Sequence, residues 1–300
     1  MKHAYLIVAH ANFKVVETCL KCIDDERNDV FLLLDRKARV PSETVERLKH
    51  ACVRSKVTVM EAVVNWAGYS QIAAVLALLR AANASPTEYS YLHFMQGADL
   101  PIRTQDEIHA YFDAHAGKQF VMIERSRGAM AVNKTHYRHF FCHNRFFRRN
   151  RIMKALNFGL VYLQRLLHIR KRMGMEVYQG SALFSVTGAC ARYIESKEGE
   201  IRRLFRFSLA GDEVFLQSML MASAFRDDIM DAEREVSSNA RLIDRTRPDG
   251  KNSPHIWRAE ELPYILSRPE GICFARKFDE NVDLEIVEQI YRHIKETAYE

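Results

Sequence analysis

Nowhere in this 300-residue chain do apolar residues run for the ~18 consecutive positions of a membrane span, so no transmembrane helix is expected. The first apolar run, YLIVA at 5–9, meets His10 and Asn12 directly behind it. It is too short for the apolar region of a signal peptide and reads as a buried first strand. Cysteine is sparse. Of the six, Cys19 and Cys22 form a C-x-x-C, but no second pair or histidine cluster follows at metal-ligand spacing. That argues against a zinc or redox site and for two buried thiols on a helix, with the cytoplasm as the default compartment. No Asp-x-Asp occurs anywhere, no Gly-rich phosphate loop follows the first strand, and no repeat or low-complexity linker divides the chain. One continuous domain over 1–300 is expected, with 48% hydrophobic residues ample for a sizeable core.

Acids are also missing, locally. Between Glu124 and Glu176 there is no Asp or Glu, while the same span holds Arg138, Arg145, Arg148, Arg149, Arg151, Lys154, Arg165, Arg170, Lys171 and Arg172. The net charge of +6 is therefore unevenly placed. A block of this sign attracts polyanions such as anionic lipid, nucleic acid or phosphorylated sugars, or else is a solvated basic face.

What is present reads as alternating elements. HAYLIVAH, VFLLLD, VTVMEA, YSYLHFMQ and KQFVMIE are strands. Between them, Asn12 caps a helix over 13–25, Ser42 with Glu46 nearby opens a second, and GYSQIAAVLALLRAANA is a long third. Thr104 and Glu107 form a capping box before a fourth. The alternation predicts a mostly parallel sheet covered on both faces, with ligands beyond the carboxyl ends of its strands, where Asp35 and Asp99 fall. After 125 the pattern breaks. The stretch 134–172 reads as helical and amphipathic, YQGSALFSV as a strand, GACARYIESKEGE as a helix, RLIDRTRPDGKNSPHIW as loop, ICFARKF as a last strand and DLEIVEQIYRHIKE as a closing helix. AGDEVFLQSML at 210–220 is a turn into a helix. On its own residues Asp212 and Glu213 are ordinary first-turn acids there.

Taken in order, YLIVAH, LLLD, WAGYSQIAA, FMQGADLPIRTQDEI, GSALFSVT, GDEVFLQ and FARKFDENVD resemble the core-2/I-branching enzyme family, glycosyltransferase family 14, which also contains the peptide-O-xylosyltransferases. The match spans 5–283, nearly the whole chain, and suits a bacterial-type member. The resemblance implies an α/β fold of GT-A type: a nucleotide-sugar-binding, mostly parallel sheet flanked by helices (1–125) fused to an acceptor and catalytic half (126–300). It implies transfer of a sugar from a UDP-sugar to a hydroxyl with inversion. It also implies that basic side chains, not a divalent metal, meet the diphosphate, so no metal ligand and no cofactor beyond the UDP-sugar substrate is expected. The residues agree, since Asp35 is followed by Arg36-Lys37 rather than by a second acid.

Inverting transfer needs a base for the acceptor hydroxyl and positive charge for the departing diphosphate. The resemblance carries Glu213 over as the base and makes Asp212 the cap of its helix. It carries Lys277 over to the diphosphate, with Lys251 as the second basic group and Arg247 or Arg258 as alternatives. Asp35 would read the nucleoside, with Val8 and His10 lining its pocket and Trp66 or Tyr69 packed on the base. Asp99 would lie near the donor sugar, and Ser181 on the acceptor strand. Arg245 stands where relatives often carry Trp, which favours a charged or hydroxyl-rich acceptor. GlcNAc is the first candidate sugar, then xylose or glucose. The expected acceptor is a glycan or lipid-linked glycan of cell-surface polysaccharide. The block 134–172, with Phe140, Phe141, Phe146 and Phe147 interleaved, would touch anionic membrane at the inner face. A peptide- or glycan-xylosyltransferase is the nearest alternative. A non-catalytic basic module for membrane or nucleic acid is the alternative of another class; it leaves the elements outside the block unexplained, and no nucleic-acid partner is expected.

Overall fold

The computed structural model describes residues 1–230, 238–247, 249 and 253–297. The first strands and helices follow one another as the alternation predicts: β1 (Lys2–Ala9), α1 (Phe13–Cys22), β2 (Asn28–Asp35), α2 (Ser42–Lys49), β3 (Lys56–Ala62), α3 (Ser70–Asn83) and β4 (Tyr89–Gln96). All four strands run parallel. β2 is buried at all eight positions, as a strand covered on both faces should be. A short β5 (Asp99–Pro101), α4 (Gln105–Ala114) and β6 (Phe120–Glu124) follow. The capping box at the start of α4 forms as expected, Thr104 and Glu107 each accepting from the other's backbone N–H.

Beyond 125 come α5 (Gly128–Thr135), α6 (Arg151–Leu166), β7 (Gln179–Thr187), α7 (Gly188–Ser196), α8 (Glu198–Phe205) and α9 (Phe215–Met221). The last elements are β8 (Arg241–Ile243), α10 (Leu262–Leu266), β9 (Phe274–Arg276) and α11 (Glu285–Thr297). β7 inserts antiparallel between β4 and β6, giving a six-stranded sheet of order β3-β2-β1-β4-β7-β6. β5, β9 and β8 form a second, three-stranded sheet. Strands from before and after residue 125 thus interleave in both sheets.

Side chains alternate across the main sheet with the period of two that pleating imposes. Leu6, Phe31, Leu33 and Phe94 face one layer with α3, α7 and α9. Tyr5, Ile7, Leu32 and Leu34 face the other with α1, α4 and α11. Each large side chain removed from water this way contributes about 1.5–3 kcal/mol. Cys19 and Cys22 are buried on α1, and desolvation raises the Cys22 thiol to about 12, as inert structural thiols require.

Several local expectations change. Asn12 does not cap α1: its backbone is left-handed at φ 57°, it makes no capping bond, and its amide donates to the Phe278 carbonyl instead. α1 ends at Cys22, short of 25. The stretch 134–172 is not one helix. Residues 136–150 are mostly turns between α5 and α6, and Asn150 restarts the helix by accepting from the Met153 N–H. GACARYIESKEGE likewise breaks at Lys197 into α7 and α8.

Candidate functional site

β1 pairs with β2 on one side and β4 on the other, so strand order reverses at the carboxyl end of β1. Such a crevice is where open α/β sheets bind ligands. Register places Val8 beside Leu33 and Gln96, with His10 and Asp35 at the strand ends. Lys277 arrives at this edge because β9 pairs antiparallel with β5, Asp99 opposite Arg276. The Arg276 guanidinium donates to Asp99 Oδ1 at 2.6 Å and to Gln96 Oε1 at 2.7 Å, while Asp99 Oδ2 accepts from the Gln96 N–H at 2.8 Å. Both oxygens of buried Asp99 are therefore occupied. It works as a bracket rather than as a carboxylate open to a sugar.

Asp35 is buried and ties the turn after β2. Its Oδ1 accepts from the Lys37 and Val64 N–H groups, and the Lys37 ammonium lies 3.4 Å from Oδ2. Lys37 also donates to the Val64 carbonyl and Asn65 Oδ1, at 2.6 and 3.0 Å. The His10 imidazole is held below its usual pKa by desolvation. Asp35 pulls the other way, and Arg148, Lys277 and Lys37 add to the depression. Lys277 is itself lowered, first by desolvation and then by Arg276, with Asp279 opposing and Arg148 adding. These groups sense one another, so His10, Asp35, Lys37, Arg148 and Lys277 share one neighbourhood. Among the described residues Lys277 and Arg148 have no carboxylate partner at ion-pair distance. Arg148 lies over the half-exposed Trp66 ring, 5.8 Å from its centroid. Unneutralised cations beside an aromatic face and a buried carboxylate suit a nucleoside diphosphate.

Lys251 lies outside the described residues. Its two alternatives are engaged: Arg247 with Asp244 and Glu261, Arg258 with Asp249. Tyr69 does not join the strand-end group. It faces a separate cleft of about 600 Å³, lined also by Asn65, His143, Arg202, Arg206 and Phe207, and its pKa is raised first by desolvation and then by Glu198.

The acidic pair is divided by its surroundings. Ala210, at φ 46°, donates to the Ala67 carbonyl at 2.8 Å and opens a single 3₁₀ turn, Gly211–Glu213, before α9. Asp212 caps neither the turn nor α9; no side chain bonds at either start. It is buried instead. Its Oδ2 accepts from Gln71 Nε2 at 3.1 Å, and Gln71 Oε1 accepts from the Ala67 N–H, which fixes the amide's orientation. Asp212 Oδ1 is enclosed without a partner among the described residues. Asp212 lines a small cavity of about 30 Å³ with Val8, Gln71 and Gln96, so the acidic turn abuts the strand-end crevice. Desolvation, then the charge of Glu213, push its pKa up to about 7.

Glu213 is half exposed. Its Oε2 accepts from Lys134 at 2.5 Å and from Gln179 Nε2 at 3.0 Å, and no hydrogen bond to Oε1 occurs among the described residues. One oxygen is anchored and one is open to a hydroxyl. Lys134 and Gln179 escaped the sequence reading. Lys134 is one more cation in an acid-free span, and nothing local marks it as the one reaching residue 213. Gln179 sits two positions before Ser181 on the same face of β7. Ser181 itself is buried, its hydroxyl bonded to the Leu183 N–H and its carbonyl to Gln217, so it presents no group to an open acceptor site. Arg245 is exposed in the loop after β8, and among the described residues no hydrogen bond or ion pair joins it to Glu213. Among the described residues no group of three His, Cys, Asp or Glu side chains is placed to hold a metal ion.

A raised carboxyl pKa fixes the sign of a stability effect. Asp212 binds its proton more tightly folded than unfolded, so its contribution is full below 3.8 and is lost as pH rises towards about 7. Asp212→Asn should therefore gain in melting temperature relative to the parent as pH rises through that window. A difference that stays constant from acid to neutral pH would contradict the buried, proton-holding state.

The core-2/I-branching enzyme family model matches residues 3–265. No curated protein matches the chain. Similar solved structures include the core-mannan synthase A of Aspergillus fumigatus in its Mn/GDP form, at 9% identity over 74% of this chain and 69% of that one, TM-score 0.39. Mouse xyloside xylosyltransferase 1, apo form, is 12% identical over 74% of this chain and 81% of that one, TM-score 0.35. With the family model covering most of its length, this chain belongs to the core-2/I-branching enzyme family and is a glycosyltransferase.

Proposed function

We propose that this glycosyltransferase moves a sugar, GlcNAc first among the candidates, from a UDP-sugar to a hydroxyl of a glycan or lipid-linked glycan, with inversion and without a divalent metal. Two observations support the reading: cations without an ion-pair partner among the described residues gather at the end of β1, and the acidic turn that abuts the same crevice through Asp212 carries Glu213 with one oxygen open. In this reading residues 1–125 form the nucleotide half and 126–300 the acceptor half of one domain. The nucleoside lies over the β1 and β2 ends at Val8, His10 and Asp35, against Trp66. Lys277 and Arg148 take the diphosphate, with Lys251 as a further candidate.

Glu213 Oε1 accepts the acceptor's hydroxyl proton as that oxygen attacks the anomeric carbon. The bond from that carbon to the diphosphate oxygen breaks, and the charge gathering on UDP is met by Lys277 and Arg148. Lys134 and Gln179 hold one oxygen of Glu213 and aim the other. Asp212, whose proton burial holds more tightly, lessens the negative charge beside Glu213. Arg245, exposed in the loop after β8, stays the candidate for the far part of a charged or hydroxyl-rich acceptor.

Glu213→Gln should lower kcat by on the order of 100-fold or more, with UDP binding by calorimetry unchanged; near-normal turnover would remove Glu213 as base. UDP release from a panel of UDP-sugars should favour UDP-GlcNAc and persist in EDTA. Complete loss restored by manganese would overturn the cation reading, and preference for UDP-xylose would move the enzyme to xylosyl transfer.

A further inference from the structure

α6 is amphipathic with its faces reversed. The residues that turn inward include polar ones. Asn157 is buried, its amide bonded to His139 Nδ1 at 3.0 Å and its carbonyl oxygen accepting from the Phe141 N–H. Two turns further along, Gln164 accepts from the Arg138 N–H at 2.9 Å and donates to the Arg138 carbonyl at 3.0 Å. The outward side is apolar. Ile152, Leu156, Leu160, Leu163 and Leu167 recur at spacings of three and four, which aligns them in one stripe, and they are 71, 53, 37, 47 and 59% exposed. Phe158 and Tyr162, on another side of the helix, are exposed too, at 51 and 63%. A helix that covered a core would bury such a stripe, and a contiguous apolar face of this kind on a soluble surface marks an interaction site.

The rim decides what covers it. Arg149, Arg151, Lys154, Arg165, Arg170 and Arg172 lie on α6 or close to its two ends, and no Asp or Glu occurs over 125–175. Among the described residues none of these six pairs with a carboxylate. Arg165 donates to Asn133 and lies over the Tyr137 ring. A second copy on this face would bring two acid-free cationic rims together, because a two-fold contact sets each patch against itself. Nucleic acid would satisfy the arginines and leave the leucines in water. With 16 residues, α6 does not cross a bilayer, and no helix among the described residues is long and apolar enough to do so. An anionic bilayer surface meets both requirements: acyl chains for the stripe and headgroup charge for the rim.

We propose that α6, with the basic segment 168–172 behind it, lies in the plane of an anionic membrane surface, its leucine stripe in the acyl boundary and its arginines among the headgroups. This stands independently of the transfer reading. Together with that reading, it places the acceptor among membrane-borne glycans.

The test is co-sedimentation of the full chain with extruded vesicles, without donor or acceptor. Binding should be strong to phosphatidylcholine vesicles carrying about 30% phosphatidylglycerol, and much weaker to phosphatidylcholine alone or when salt is raised well above about 0.1 M. Leu156→Glu with Leu163→Glu should lower partitioning about tenfold or more. Both positions are exposed, so circular dichroism and the melting temperature should match the parent. Equal sedimentation of parent and variant, or failure of the parent to bind anionic vesicles, would overturn the proposal. So would a dimer by light scattering that the double variant abolishes, or retention on duplex DNA that leaves no binding to vesicles.

Discussion

The site depends on one buried contact, the ion pair of Asp99 with Arg276. It joins residues 177 positions apart, and Gln96 completes it from the end of β4. A charge removed from water is tolerable only where partners replace the lost hydration. Here every oxygen and both terminal nitrogens of the pair are used. The geometry that satisfies Arg276 also sets β9 against β5, and that register delivers Lys277 to the crevice at the end of β1. Arg241 reinforces the arrangement from beneath. Fully buried, it donates to the Phe94, Phe184 and Asn239 carbonyls and to the Ser185 hydroxyl, so β8 is fastened to β4 by a backbone carbonyl and to β7 by a carbonyl and a hydroxyl.

With that frame in place, charge is distributed by burial. Asp212 and Glu213 are adjacent, and two ionised carboxylates side by side repel. The fold separates them by enclosing one, where burial makes it hold its proton more tightly, and exposing the other to an ammonium. Glu213 precedes α9, which begins only at Phe215 and is seven residues long. Lys134, not a long helix, is the positive charge that Glu213 meets at close range.

Much of the fold was legible because strand burial and helix amphipathicity are local patterns. NDVFLLLD could be little other than a buried strand, and Thr104 with Glu107 marked a helix start by chemistry that acts over three residues. Strand ends also gave Val8, His10 and Asp35 their shared place. What stayed hidden was set by distance along the chain. Nothing near Lys134 or Gln179 indicates that they converge on Glu213, 79 and 34 residues away. Nothing near Arg148 indicates that it folds over Trp66. Asp212 looked like a cap because its neighbours permit one; its burial comes from Gln71 on a different element. α6 shows a further limit. Periodicity reveals two unlike faces, but not which one turns inward.

The central claim is that side-chain cations at this sheet edge bind the diphosphate. Its most direct measurement is calorimetric titration of the chelator-treated protein with UDP and with UMP. The account predicts that UDP binds at least about tenfold more tightly than UMP without added metal, as expected of charge-assisted contacts to the second phosphate. It also predicts that Lys277→Ala removes most of that gap while leaving UMP affinity nearly unchanged. Equal affinities for the two nucleotides, or a gap that appears only when manganese is added, would contradict it.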